Sequence, residues 1–296
     1  MGHCWLHFWP HFLLHVWGAS LLPRIPSSNP IPVALWQSDI PIRKKFSEEE
    51  QNRIPKSIQE SLDRAKDLSA SWLVAPEGTI NGRRDLISPA PIPFLTGGFR
   101  WVRGSQRSAL LVFETGESKF STAIDKHRLV PLGERLPDFS LFPIKGLSAV
   151  GGLEPGLPSR LLAWSGPSAA VAICYEVTDG HSIAKAVEEG AEWILAMANL
   201  DPYPISLQKQ FLAISQLRSI ETSRDLISVA NTGPSALVKA SGEVQGIIPP
   251  FVEATELAEL HLHRELTGYI RWKEAPLVGL FVIGLSGIIF FRFWCD

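Results

Sequence analysis

SAAVAICYE, Ser168–Glu176, is a continuous apolar run that ends in a cysteine followed by two polar residues. Such a run is expected of a strand buried on both faces, which occurs where helices cover a sheet from both sides. The neighbouring segments extend that reading. Downstream, Ser182–Glu189 reads as a short helix, Ala191–Asn199 as a strand and Gln208–Thr222 as a long helix. Asp225–Asn231 and Ser235–Ala240 read as strands joined by the turn Asn231-Thr-Gly-Pro. Upstream, Ser108–Thr115 is a strand, and Ser71–Gly78 is a buried strand running into a turn. Ser47–Leu68 is an amphipathic helix, with Ser47 as cap, Glu50 three residues on, and Ile58, Leu62 and Ala65 at helical spacing. Val33–Gln37 is a further strand after a Pro-, Ser- and Asn-bearing linker over residues 25–31. Strands alternating with helices give an α/β fold class. No internal repeat is visible.

Composition excludes some classes. With 45% hydrophobic and 20% charged residues the chain is too apolar for a disordered protein, and a net charge of -2 gives no reason to expect nucleic acid as a partner. The three cysteines, Cys4, Cys174 and Cys295, are far apart, so no zinc site or disulfide framework is indicated.

The chain ends are unusually apolar. Residues 275–291, APLVGLFVIGLSGIIFF, carry no charge and are expected to form a C-terminal transmembrane helix, with Trp272 and Trp294 at the interfaces and Arg292 able to snorkel. Gly279, Gly284 and Gly287 suit a membrane helix better than a soluble one. Residues 1–24 form a hydrophobic segment without a charge before Arg24, read as an interfacial segment or a membrane remnant. His3, His7, His11 and His15 would share one helix face, but Pro10 interrupts it and no acidic or cysteine partner accompanies them. Residues 135–165 form a long apolar loop, either a lid or binding arm or a loop packed on the surface.

Three segments place a reactive group at the end of an apolar strand: Val74-Ala-Pro-Glu77-Gly78, Asp125-Lys126-His127-Arg128, and Ile173-Cys174-Tyr175-Glu176. Each alone has an ordinary reading, respectively an exposed turn glutamate, a solvated charged turn and a small buried hydrophobe. Together they supply a nucleophile, a base and a cation. A thiol becomes a useful nucleophile beside a base, an ammonium stabilises the oxyanion formed on a carbonyl, and a glutamate in a partly apolar pocket can carry the proton.

The ordered set PEG (76–78), DKHRLVPLGE (125–134) and ICYE (173–176) resembles the carbon–nitrogen hydrolase, or nitrilase, superfamily, whose triad runs Glu-Lys-Cys along the chain. Within it the chain resembles the apolipoprotein N-acyltransferase family. The signals are the Leu-Val-Pro-Leu-Gly-Glu after the lysine turn, VALWQSDIP (33–41), the series Gln208, Arg218, Glu221, Arg224 and Asn231, and YIRWKEAPL (269–277). The resemblance implies a nitrilase-like α-β-β-α sandwich over residues 32–270, followed by a membrane helix. It implies Cys174 as nucleophile, Glu77 as general base and Lys126 as oxyanion-stabilising cation, with Glu134, Tyr175 and Glu176 in support. It also implies a phospholipid acyl donor, an apolipoprotein acceptor, no cofactor and no metal, and a place in the bacterial inner membrane with the catalytic domain facing the periplasm; a nitrilase-type amidase hydrolysing a small amide and a catalytically inactive relative are the alternative readings. Two features depart from the family. Several membrane helices normally precede its catalytic domain, where this chain has residues 1–24, so a reduced or partial relative is expected. Its N-D-A-W-F segment is replaced here by Asn199-Leu-Asp-Pro-Tyr203.

Overall fold

The computed structural model describes residues 29–41, 43–45, 47–80, 85–131, 133–134 and 152–294, apart from the side chains of 289 and 291–294. The expectations for residues 1–24 and for most of the 135–165 arm lie outside them.

The first sheet is built from β1 (Ile31–Gln37), β2 (Trp72–Val74), β3 (Phe94–Val102), β4 (Ser105–Phe113) and β5 (Thr122–Asp125), with helix α1 (Glu48–Asp67) between β1 and β2. The chain then crosses to a second sheet through β6 (Leu161–Leu162) and β7 (Ala169–Ile173), followed by α2 (Gly180–Glu188), β8 (Trp193–Ala198), α3 (Ile205–Thr222), β9 (Leu226–Ala230), β10 (Ser235–Val238) and β11 (Val244–Ile248). It returns to the first sheet as β12 (Ala254–Leu260), which pairs antiparallel with β1, and ends in α4 (Gly268–Trp272) and α5 (Ala275–Trp294). The sheet orders are β12-β1-β2-β3-β4-β5 and β11-β10-β9-β8-β7-β6.

Read from β5 to β12 and from β11 to β6, neighbouring strands are antiparallel, antiparallel, parallel, parallel and antiparallel in both sheets. The two halves therefore share a topology that no sequence repeat announces, because topology requires only the right pattern of apolar faces.

Period-2 alternation sorts the side chains into layers. Val33, Leu35, Val74, Leu95, Val171, Ile173, Leu195 and Met197 fill the space between the sheets. There Trp72 meets Trp164 edge-on at 5.5 Å and Trp193 at 5.6 Å. The alternate residues face outward. On the first sheet Ala34, Trp36, Leu73 and Phe113 receive Ile54, Ile58, Leu62 and Ala65 of α1. On the second, Ala170, Ala172, Ala196 and Ala198 leave room for α2 and for Phe211 of α3 to approach closely. The result is four layers, α-β-β-α, and the apolar run at 169–173 is buried on both sides as its composition required. Ser47 caps α1 by accepting a hydrogen bond from the Glu50 amide, the position its sequence indicated.

Strand β3 is the largest element that sequence reading passes over. Its Gly97-Gly98 pair argues against a strand interior, yet Gly97 is needed there because another backbone segment lies on it. Strands β11 and β12 are partly exposed and mixed in polarity, so their alternation is weak.

Helix α5 leaves this body. Its described side chains Leu277, Val278, Leu280, Phe281, Val282 and Ile283 are 54–71% exposed. Among the described residues no helix is long and apolar enough to cross a membrane, so the C-terminal transmembrane helix expected from sequence is not established by the fold.

Leu195 is fully buried in the inter-sheet layer. Leu195→Ala is expected to lower unfolding stability by about 2–5 kcal/mol through lost contacts and a residual cavity. Denaturant melts measure the difference, and a cost below 1 kcal/mol would show that the sheets close over the gap.

Candidate active site

The three sequence-nominated segments meet at one end of the sandwich. Glu77 follows β2, Lys126 follows β5 and Cys174 follows β7, so two groups come from the first sheet and one from the second. The carboxyl ends of parallel strands are a usual place for ligands in α/β sheets.

Lys126 is the centre. It is fully buried, and its ammonium donates to Glu77 Oε1 at 2.8 Å and to Glu134 Oε1 at 2.7 Å. Glu77 is 8% exposed, and its second oxygen accepts from the Asn199 amide at 3.2 Å. The other Glu134 oxygen accepts from the Val130 amide at 2.8 Å. Neither Glu77 nor Lys126 is therefore the solvated turn residue that its local sequence alone would favour.

Each position has a local cause. Gly78 turns the chain at φ +66, and Thr79 Oγ1 bonds the Pro76 carbonyl at 2.8 Å. Pro76 O also accepts from the Gly97 amide at 3.1 Å. A Cβ on Gly97 would stand 2.4 Å from the Glu77 Cα, so only glycine lets the turn lie against β3. Lys126 is fixed through its amide to Ser108 O and through its carbonyl to the Gly156 amide, both at 2.8 Å. The preceding Asp125 is gripped by Arg100 and Arg107. Cys174 stands one residue beyond β7 at φ +53, a left-handed conformation unusual for a residue with a Cβ, at the start of a short 3-10 turn. That turn carries the thiol off the strand axis.

Glu176 joins two of the segments. Its Oε1 accepts from the amides of His127 at 2.7 Å and Arg128 at 3.0 Å, just past Lys126. Its Oε2 accepts from the Ile173 amide at 2.9 Å, just before Cys174. Arg160 Nη1 donates to the same carboxylate at 2.9 and 3.0 Å, and its Nη2 donates to the Asp125 carbonyl at 2.9 Å. Glu176 and Arg160 are each 3% exposed, so the pair is a buried clasp between the lysine turn and the cysteine turn.

Charge and burial oppose each other at these groups. Burial pulls the Lys126 ammonium down, but the nearby Glu77, Cys174 and Glu134 outweigh it and hold the lysine above its ordinary value. Burial pushes the Cys174 thiol up, Glu77 adds to this, and Lys126 offsets only part. Burial also raises Glu134, with Lys126 acting against it. A thiol kept protonated this way needs an adjacent base to become a nucleophile.

Cys174 opens onto a cavity of about 310 Å³ lined mainly by apolar side chains, among them Leu200, Leu207, Phe211 and Ile214. Tyr175, 41% exposed, and Tyr203 stand on its wall. The loop Asn199–Tyr203 is pinned by Gln208, whose amide reaches the Leu200 and Tyr203 carbonyls at 3.4 and 3.2 Å. Asn231 bonds Asn199 at 3.3 Å and holds Ser38 and the Ile40 backbone. Arg224 instead caps carbonyls of Ala191, Thr222, Ser223 and Glu265, and Arg218 pairs with Glu221, both away from the thiol cavity's lining.

Sequence reading missed Gly97, Asn199's amide, Gly156 and Arg160. A glycine inside an otherwise apolar strand was the available signal for Gly97; nothing local marked Arg160. Gly97→Ala is expected to displace the Glu77 turn and slow the reaction of Cys174 with an electrophile on the order of 100-fold. Single-turnover labelling of Cys174 checks this, and an unchanged rate would mean that the turn shifts without moving the carboxylate.

No family model matches the chain. It is 59% identical over 276 residues to an apolipoprotein N-acyltransferase of Prochlorococcus marinus, covering 93% of this chain and 55% of that protein. It is 50% identical over 261 residues to an apolipoprotein N-acyltransferase of Parasynechococcus marenigrum, covering 88% of this chain and 56% of that one. The chain thus spans about half the length of the curated relatives it matches. Among solved structures, a mutant of a Nesterenkonia amidase from the nitrilase superfamily superposes with a TM-score of 0.60 at 16% identity, over 88% of this chain and 99% of that chain. A branch 10 nitrilase-superfamily member of Saccharomyces cerevisiae gives 0.60 at 15% identity, over 81% and 93%. Along nearly all of its own length the chain is a relative of the apolipoprotein N-acyltransferases, built on the fold of the nitrilase superfamily.

Proposed function

We propose that the protein is a membrane-bound N-acyltransferase that moves an acyl chain from a phospholipid, through a thioester on Cys174, to the N-terminal S-diacylglyceryl-cysteine of apolipoproteins. The observation that carries this reading is a thiol beside a lysine-bridged carboxylate pair, opening onto an apolar cavity of about 310 Å³. Apolar walls suit an acyl chain, whose burial is favourable by about 0.8 kcal/mol per methylene.

In the first step Glu77 takes the thiol proton and the sulfur attacks the ester carbonyl. Lys126 supports the negative charge on the carbonyl oxygen. The C–O bond breaks, Glu77 returns the proton to the departing oxygen, and a lysophospholipid leaves behind the thioester. In the second step the acceptor amine attacks the thioester carbonyl. Its proton passes by way of Glu77 to the expelled sulfur, an amide forms and the thiol is restored. Glu134 shares Lys126 with Glu77, and Glu176 keeps the lysine and cysteine turns together.

We place the protein in the bacterial inner membrane with this domain on the periplasmic side. Residues 275–291 would be the anchoring helix. Support comes from α5, whose described side chains Leu277, Val278, Leu280, Phe281, Val282 and Ile283 are exposed, whereas a helix apolar all round is normally buried in protein or lipid. Hydrolysis of a small amide is the second reading, since the fold is shared with amidases. The large apolar wall beside Cys174 argues against it.

Membranes holding the protein, given phospholipid labelled in its acyl chain, are expected to yield a labelled thioester on Cys174. The label should be absent in Cys174→Ala and should pass to a diacylglyceryl-cysteine peptide when one is added. A thioester formed only from small amides would overturn the transferase reading in favour of the amidase.

A further inference from the structure

Lys45 is 5% exposed, in the loop that joins β1 to α1. A Cβ built on Gly78 would lie 3.4 Å from its Nζ, so the ammonium rests against the turn that carries Glu77. A buried ammonium is costly unless it has a partner or a task. Lys45 forms no ion pair among the described residues, and Glu77 is the acid that bears on it through space.

The charge count around the thiol gives it a task. Lys126 contributes one positive charge, whereas Glu77 and Glu134 contribute two negative ones. Glu176 is answered by Arg160, and Asp125 by Arg100 and Arg107. Without Lys45 the Lys126 cluster carries a net negative charge in a buried place, which opposes both a thiolate and an oxyanion. Lys45 brings the count to two against two.

We propose that Lys45 is a positioning residue for the Cys174 thiol, a second buried cation that acts through Glu77 to offset the excess carboxylate charge. This rests on the reading of Glu77 and Cys174 as base and nucleophile. Burial pulls the Lys45 ammonium down to about 8, against the raising influence of Glu77, so its charge is lost within an accessible pH range. The surrounding groups leave Glu77 as its electrostatic partner. Lys126 is bonded to Glu77 Oε1, α1 offers the neutral Gln51 to the Lys45 carbonyl, and Glu48 and Glu49 of its first turn are exposed. Glu50 is engaged by Arg53, and Asp39 of the same loop responds to burial and to Asp201.

The sign follows. Below about pH 8 Lys45 is charged and favours the thiolate. As pH rises through that value the charge disappears, and the Cys174 thiol becomes harder to ionise. The test is alkylation of Cys174 by iodoacetamide between about pH 6 and 10, a range that brackets the lysine transition. Sulfur displaces iodide and the thiol proton is lost to base, so the rate follows the thiolate fraction. Mass spectrometry of the Cys174 peptide separates it from Cys4 and Cys295.

For the wild type the rate should climb with pH and then flatten near pH 8. Lys45→Met should be on the order of tenfold slower at pH 7, equivalent to one unit of thiol acidity. It should lack the inflection and converge with the wild type at alkaline pH, where wild-type Lys45 is neutral too. Lys45→Arg should match the wild type at pH 7 and continue to climb, because a guanidinium keeps its charge. A merely structural role would slow Lys45→Met equally at every pH. Equal rates for Lys45→Met and wild type at pH 7, or an inflection that survives in Lys45→Met, would overturn the proposal. If Lys45→Met does not fold, an inflection unmoved in Lys45→Arg overturns it. Because iodoacetamide replaces the acyl donor, failure of phospholipid to label Cys174 would sink the transferase reading while leaving these profiles decisive for Lys45.

Discussion

A fully buried ammonium, held between two carboxylates that come from different parts of the chain, is the constraint around which the rest of this site is arranged. Lys126 reaches Glu77 and Glu134 at once, and neither carboxylate has another cation within ion-pair distance among the described residues. In a low-dielectric interior these charges are tolerable only together. Removing one partner of a buried pair typically costs about 3–5 kcal/mol, because the other charge is left stranded. The β2 turn, the β5 turn and the segment leading to Glu134 are therefore bound into one unit. The thiol is set beside that unit rather than inside it.

The second requirement is that two sheets remain in register, since the lysine belongs to one and the cysteine to the other. Packing between the sheets sets their spacing, but side-chain packing does not by itself fix a turn to a few tenths of an ångström. The Glu176 carboxylate does so by accepting from amides on both sides of the gap, with Arg160 neutralising it. One carboxylate thus links the backbone next to the cation with the backbone next to the thiol. The positive φ of Cys174 is a local cost of aiming the sulfur out of the strand, and this network of hydrogen bonds holds the conformation in place.

Beyond the charged groups the surroundings change quickly. The acid–base groups lie deep, and the cavity beside Cys174 is faced mostly by leucine, isoleucine and phenylalanine. Burial and apolar neighbours strengthen electrostatic interactions near the thiol but also disfavour ionisation of an isolated thiol. Such a setting suits activation by a nearby base rather than a permanently ionised sulfur.

The sequence by itself determined the layers and nominated the three side chains that the fold brings to one end of the sandwich. The continuous apolar run at 169–173, the strand at 33–37 and the helical spacing of Ile58, Leu62 and Ala65 called for a sheet covered on both faces. Glu77, Lys126 and Cys174 were legible as polar groups at the ends of apolar runs, and their order along the chain carried the family resemblance. Only the tertiary structure decided that Lys126 is buried whereas its neighbours His127 and Arg128 are exposed, that Gly97 must be glycine, and that Arg160 answers Glu176. These facts depend on what lies across a gap from each residue, and local sequence carries no record of partners contributed by distant strands. The charge balance at Lys45 is of the same kind: a lysine among polar neighbours in sequence becomes a buried cation only when the Glu77 turn folds over it.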